Sequence, residues 1–355
     1  MPLTEGENWL RTVRMTNPDR MPYQIALLSP TWAALGRELE DVVLRHPRTW
    51  PGFERGSYDW KNIQHPPSQD PSQDFVDLWG SVWRTTRPGD VGVVVKPALQ
   101  DQGDLDSFDP PDSSTYNGGI HPVDWDATRK RLAAVRAKGG LPRGGLDHGY
   151  HLLRLEYLRG FENLMCDMMD DTPVFRRLVE AVHQLNRTAV KNWIDAGARV
   201  ISLPEDLGSQ TGSLTGPRMF RKWVTPYHRE LHDMAHDAGC LTDFHCDGNI
   251  MDVADQILEI GPDAFNPQDM ANGVDNLAEA FKGKLCIRLD FDRQHAIPFS
   301  TPREIRELVE YEVRTLGSPE GGLMMRAGVR GDNIPPENID ALASALEDLC
   351  TYWFD

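Results

Sequence analysis

Residues Leu241–Asn249 read LTDFHCDGN: a β-type run that ends on a histidine, a carboxylate, a glycine and an asparagine. Runs of the same form recur on both sides of it. They are ARVISLPEDLG from Ala198, DAFNPQD from Asp263, LCIRLDFDRQ from Leu285 and GLMMRAGVR from Gly322, each closing on polar residues. Longer amphipathic stretches separate them, and this alternation, from about Leu141 onward, predicts βα units around a parallel sheet. The expected fold is α/β, a (β/α)8 TIM-type barrel with an N-terminal extension, whose strand ends form the catalytic face.

The intervening helices carry their own signals. Thr301, Pro302 and Glu304 supply an N-cap, a first-turn proline and the acid of a capping box. Ile305, Leu308, Val309, Val313 and Leu316 then form one apolar face, and Gly317 with Pro319 stops the helix. A second helix opens at Gly216-Pro217 and runs to about Gly239, with Pro226 predicting a kink. His228, His232 and His236 recur at four-residue spacing along it, flanking its apolar stripe, and are expected to take no part in the site.

The first 140 residues differ in texture. His46–Asp74 is rich in Pro, Ser, Asp and aromatics without a sustained period, and Asp101–Gly119 is similar, so both predict lid-like loops. VGVVVKPAL between them predicts a strand. The expected organisation is one domain over 1–355, with an extension over 1–140 and the main run of βα units over 141–355. Trp50, Trp60, Trp79 and Trp83 lie in or near these loops, where they suit either an aromatic substrate or core packing.

Composition excludes several classes of partner. A net charge of −17, with 54 acidic against 37 basic residues and no Lys/Arg block, repels nucleic acid and anionic membranes. No window approaches the ~18 unbroken apolar residues of a membrane span. The N-terminal segment MPLTEGENWLRTVRMTNPDR lacks the apolar run of ~7–15 residues of a secretory signal. Five scattered cysteines, Cys166, Cys240, Cys246, Cys286 and Cys350, make no disulfide framework, and a cytoplasmic protein is expected.

Six motifs then occur in an order that resembles uroporphyrinogen-decarboxylase-like proteins: DLWGSVW at Asp77, GFENLMCDM at Gly160, EDLGSQTG at Glu205, FHCDGN at Phe244, NPQD at Asn266 and PPENI at Pro335. The resemblance covers nearly the whole chain from Asp19. That superfamily holds true decarboxylases and zinc- and corrinoid-linked methyltransferases, so membership alone does not define the reaction. The decarboxylases carry an Arg-rich RQAGR segment and an FSD run. Here the N-terminal region reads MPYQIALLSPTWAALGREL, with only Arg37 nearby.

The methyltransferase branch is more similar around His245. Its zinc site uses a His and a Cys two residues apart in an HxCGN run, plus a later Cys or His. In this chain His245 matches, Asp247 takes the Cys position, and the late stretch AGVRGDN offers no Cys or His around Gly328 and Val329. Asp243–Gly248 also spells the D-x-H-x-x-G signature of cobalamin-binding domains. Without a doubly wound context or a later Ser-x-Leu run, any corrinoid is expected on a separate protein.

Residues two apart on a strand face the same side, so His245 and Asp247 are candidate metal ligands, with Glu205 or Asp206 closing the site through oxygen. Glu205 and Asp206 are adjacent, so only one can face the pocket. The alternative is a hydrogen bond from His245 to Asp247 or to a carbonyl, with no metal. The expected ligand set is His245, Asp247 and Glu205, harder than a Cys-rich one and best suited to zinc among divalent ions. Cys246, on the opposite side of the strand, is expected to pack. Glu205, Asp206, Asp290, Arg288 and Arg326 are candidate catalytic groups, the arginines pairing with acids or with a substrate carboxylate. His148, Tyr150 and His151 of the LDHGYH run, with Asn249 and Gln268, are expected to line the substrate.

The resulting expectation is a metal-assisted methyltransferase, a demethylase that moves a methyl group from a small methoxylated substrate, with aromatic ones suited to the indoles, to a separate corrinoid protein. The alternatives are a decarboxylase or other lyase on a carboxylic acid, with Asp290 handling protons, and a non-catalytic ligand-binding barrel. A homodimer is compatible with all three.

Overall fold

The computed structural model describes residues 3–106 and 108–354. Ten strands occur among them: β1 (Tyr23–Leu27), β2 (Phe75–Val76), β3 (Val82–Arg84), β4 (Val93–Lys96), β5 (Arg143–Gly145), β6 (Val200–Pro204), β7 (Leu241–Cys246), β8 (Ala264–Pro267), β9 (Cys286–Asp290) and β10 (Leu323–Val329). Seven form one sheet in the order β1-β10-β9-β8-β7-β6-β5. β1 and β5 are its two edges, so the sheet is open. The expected closed eight-stranded barrel is therefore corrected to an α/β fold with an open seven-stranded sheet. Among the described residues no eighth strand joins this sheet: VGVVVKPAL does form β4, but β4 belongs to a separate antiparallel sheet with β2 and β3.

The chain divides into two compact units. The first comprises Met1–Asp70, Arg87–Asp90 and Asn266–Asp355; the second comprises Pro71–Thr86 and Val91–Phe265. In the first, β1 pairs parallel with β10 and β10 with β9. The helix Pro302–Leu316 begins with the expected capping box, Thr301 Oγ1 accepting from the Glu304 amide and Glu304 accepting from the Thr301 amide at 2.7 Å. Its buried face is Ile305, Val309, Glu312, Val313 and Leu316. The His46–Asp74 segment has little regular structure, yet its aromatics tie it down. Trp50 Nε1 donates to the Ile25 carbonyl at 3.2 Å, and Trp32 stacks between Phe53 and Tyr58.

In the second unit β5, β6 and β7 run parallel. β5 is only three residues long, and its two glycines have no room for side chains. A Cβ on Gly144 would fall 2.1 Å from the Trp193 ring, and one on Gly145 would fall 2.1 Å from the Ser202 carbonyl oxygen. The predicted kink at Pro226 is a full break: one helix ends at Trp223 and a new one spans Thr225–Asp237 with Pro226 in its first turn. Restarting the helix resets its phase, and Thr225, His228, Leu231, His232 and Ala235 become its buried face.

The DLWGSVW motif builds a buried ion pair in this unit. Asp77 Oδ1 accepts from the Trp79 and Ser81 amides, and Oδ2 accepts from Trp83 Nε1 at 2.8 Å and Arg154 Nη1 at 3.3 Å. Neither charged side chain is exposed, and the Arg154 guanidinium lies over the rings of Trp79 and Tyr157. Trp79 and Trp83 are thereby core residues, each 5 % exposed. Among the described residues no helix is long and apolar enough to cross a membrane.

Candidate metal centre

The strands β6 and β7 pair in register from Val200↔Leu241 to Pro204↔His245, which brings the Glu205-Asp206 step beside the end of β7. Proline at the end of β6 fixes the exit of the chain, and the Glu205 amide donates to the His245 carbonyl at 2.9 Å. Asp206 then turns toward His245 and Glu205 turns away. His148, in the loop after β5, completes a group of three: ligand atoms of His148, Asp206 and His245 all lie within 4.8 Å of one another. Asp206 Oδ1 is 2.9 Å from His148 Nε2 and 3.8 Å from His245 Nε2.

These three residues fit a divalent cation. Bonds of ~2.0–2.1 Å in a tetrahedral site place ligand atoms roughly 3.4 Å apart, so small side-chain adjustments suffice. Two imidazoles and one carboxylate make a borderline donor set, and three protein ligands leave a fourth position for water or substrate. The local electrostatics also favour positive charge here. Burial, the largest influence on His148, opposes its charged form, but the Asp206 hydrogen bond and the charges of Asp206, Glu205 and Asp247 outweigh it and raise the pKa. For Asp206 burial raises the pKa, and the hydrogen bond and charge of His148, the charge of His245 and the Asp247 amide more than reverse this.

Two expected ligands stand elsewhere. Asp247 Oδ1 lies 3.3 Å from His245 Nε2, and the Asp247 amide donates to Asp206 Oδ1 at 3.2 Å, but Asp247 is outside the converging set. Glu205 is fully buried. Its Oε1 accepts from the His151 and Leu153 amides, each at 2.9 Å, at the start of the helix Leu152–Arg159, and its Oε2 is 2.8 Å from His228 Nε2. Both oxygens are committed, so Glu205 serves as a remote cap for that helix instead of a metal ligand. Burial pushes its pKa up, but the His228 hydrogen bond and charge lead a set of opposing contacts that bring it below the usual value.

Tyr150 and His151, expected at the substrate rim, are also fully buried. The Tyr150 hydroxyl is 2.8 Å from His228 Nδ1, and His151 Nε2 donates to the Trp223 carbonyl at 2.8 Å. Burial drives the His151 pKa down to about 3, so the ring is neutral. Asn249 shapes its own loop: its amide donates to the Ser209 carbonyl and its Oδ1 accepts from the Met251 amide. Cys246 is buried, accepts from the Leu207 amide at 3.2 Å, and has its thiol pKa pushed well up by burial.

The remaining candidates belong to the first unit. Asp290 is 1 % exposed and lies between two cations, 2.9 Å from Arg326 and 3.2 Å from Arg293. Arg288 lies opposite Met324 in the β9–β10 register, and Gln268 bridges to Asp290. The sequence reading did not single out Arg293 and set His228 aside. The restart of the helix at Thr225 was the signal for His228, since it moves that residue onto the buried stripe.

The sequence matches the uroporphyrinogen decarboxylase (URO-D) family over residues 89–349, and the chain belongs to that family. No curated protein sequence matches it. Among solved structures, a methyltransferase from Methanosarcina mazei is similar over 97 % of this chain and 98 % of its own, with a TM-score of 0.65 at 14 % identity. A B12-independent methionine synthase from Shewanella sp. W3-18-1 covers 92 % of this chain and 95 % of its own at 12 % identity, with a TM-score of 0.43. A putative vitamin-B12-independent methionine synthase from Listeria monocytogenes covers 64 % and 70 % at 15 % identity, with a TM-score of 0.40. The fold is like that of the Methanosarcina mazei methyltransferase, and it carries a candidate metal triad.

Proposed function

We propose that the protein is a metal-assisted methyltransferase that moves a methyl group from a small methoxylated substrate to a corrinoid carried by a separate protein. The observation that carries this reading is the convergence of His148, Asp206 and His245 at the ends of parallel strands. The likeness to the Methanosarcina mazei methyltransferase fold supports it. His148, Asp206 and His245 would hold a divalent cation, zinc best suiting the donor set, which when bound would supply Lewis acidity to the oxygen that the methyl group leaves. Asp206 fixes the orientation of His148 through their hydrogen bond, and its second link, to the Asp247 amide, holds the carboxylate in place. Five free cysteines and an acidic surface suit a cytoplasmic setting.

The test combines metal content with methyl transfer. Purified protein is expected to hold one divalent ion and, when given a methoxylated aromatic compound, to methylate reduced cobalamin, with H245A and D206N losing both properties. Metal-replete protein that methylates no corrinoid across a panel of methoxylated compounds would overturn the reading.

A further inference from the structure

Three segments carry the candidate triad: the loop after β5 carries His148, the exit of β6 carries Asp206, and β7 carries His245 near its end. The His148 side chain is 44 % exposed and that of Asp206 33 %, so neither is fixed by packing around its own ring or carboxylate. Their placement depends on the backbone beneath them.

That backbone is held by one buried group. The Glu205 amide donates to the His245 carbonyl at 2.9 Å, and the next residue in the chain is Asp206. Glu205 Oε1 accepts from the His151 and Leu153 amides, each at 2.9 Å, which grips the chain just beyond His148. The rest of the His148 loop is tied from several sides. The Leu146 amide donates to the Ser202 carbonyl at 2.9 Å, the Asp147 amide to Asn117 at 3.0 Å and the Gly149 amide to Pro204 at 3.1 Å, while the Tyr150 carbonyl accepts from Asn186 Nδ2 at 2.8 Å.

His228 links these ties from the helix Thr225–Asp237. A carboxylate offers only lone pairs, so His228 Nε2 donates to Glu205 Oε2 at 2.8 Å. In the neutral ring Nδ1 then accepts from the Tyr150 hydroxyl, also at 2.8 Å. Tyr150, His228 and Glu205 are all fully buried, where a chain of hydrogen bonds is strong only while every member is satisfied. One imidazole thus couples the His148 loop to the Glu205-Asp206 step.

We propose that His228 is a positioning residue for the metal triad: through Tyr150 and Glu205 it holds the His148 loop and the Asp206 step at the spacing a cation requires. The inference rests on the metal reading of His148, Asp206 and His245. Ligands already in place lose less conformational freedom when the ion arrives, and affinity rises accordingly.

The test is cobalt(II) titration of the metal-free full chain, followed through the visible bands of the bound ion, with thermal unfolding in parallel. H228Q is expected to weaken cobalt binding about tenfold or more and to change the bands. Y150F, which removes a single hydroxyl, should weaken binding less, and it decides the matter if H228Q does not fold. H232Q is the reference. His232 lies one turn further along the same helix, is equally buried and contacts Thr242 Oγ1 at 2.8 Å, so its loss should lower the melting temperature and leave cobalt affinity and bands as in the parent. The inference is overturned if H228Q and Y150F bind cobalt with the parent's affinity and bands, or if H232Q loses binding as H228Q does, which would reduce the effect to general stability. A parent that binds no cobalt would overturn the metal reading itself, and the inference with it.

Discussion

His228 Nε2 lies 2.8 Å from Glu205 Oε2, and neither side chain reaches solvent. The contact joins the restarted helix Thr225–Asp237 to the exit of β6 and leaves Glu205 no oxygen for a cation. Asp206, one residue on, is the carboxylate of the candidate metal triad.

That division of labour gives the first prediction. E205Q should keep the parent's metal stoichiometry and lose stability by roughly 1–3 kcal/mol, because an amide replaces a carboxylate among its donors. Metal analysis alongside thermal unfolding checks it. An E205Q protein that folds as the parent does but is stripped of metal would return Glu205 to the ligand set.

The second prediction ranks the neighbouring carboxylates. H148A, H245A and D206N should each cut metal affinity by more than about 100-fold, whereas D247N, altering a residue beside His245, should cost about tenfold or less. Competition with a chelating dye at fixed pH measures both. Equal losses in D206N and D247N would mean that the two aspartates share the metal.

A third concerns Asp269, Asp292 and Glu312 in the first unit, which are all buried. Burial raises the Asp269 pKa to about 6 and pushes Glu312 well above its ordinary value, with the charge of each opposing ionisation of the other. A folded pKa above the unfolded one means that the folded state binds more protons. The stabilisation is therefore complete below about pH 4 and is lost as pH rises through 6 and beyond. E312Q should raise the melting temperature at pH 8, by the equivalent of roughly 1–3 kcal/mol, and change it little at pH 4. A pH-independent effect would show that burial does not hold Glu312 in its protonated form.

The fourth tests the DLWGSVW motif. D77A should destabilise the fold by about 3–5 kcal/mol, since it strands the buried Arg154 charge. R154M should cost less, because Asp77 keeps its amide and indole donors. Denaturant midpoints decide the order, and the reverse ranking would place the main burden on the arginine.

The strands were legible because each apolar run is short and ends on polar residues: β7 (Leu241–Cys246) falls within the LTDFHCDGN run and β9 (Cys286–Asp290) within LCIRLDFDRQ. The helix after Thr301 was legible for the same local reason, since its cap lies within four residues. The number of strands in the sheet was not. Whether a run such as VVVK joins the main sheet or pairs elsewhere depends on partners distant in sequence, which periodicity does not encode. At the site, alternation implied that only one of Glu205 and Asp206 could face His245, but which one depends on the chain's exit at Pro204. His228 was obscured because one broken helix reads as one kinked helix.

The shortness of β5 also bears on how molecules of this protein behave toward one another. An open sheet has free rims, and an unpaired rim is a template on which another chain can add a strand. At β5 the available template is three residues long, and its first residue, Arg143, is exposed and charged. Gly144 and Gly145 cannot acquire side chains without striking Trp193 or Ser202, so substitution cannot readily turn this rim into a longer, stickier one. The same two glycines that let β5 lie close against β6 thereby keep this rim a poor template for self-association.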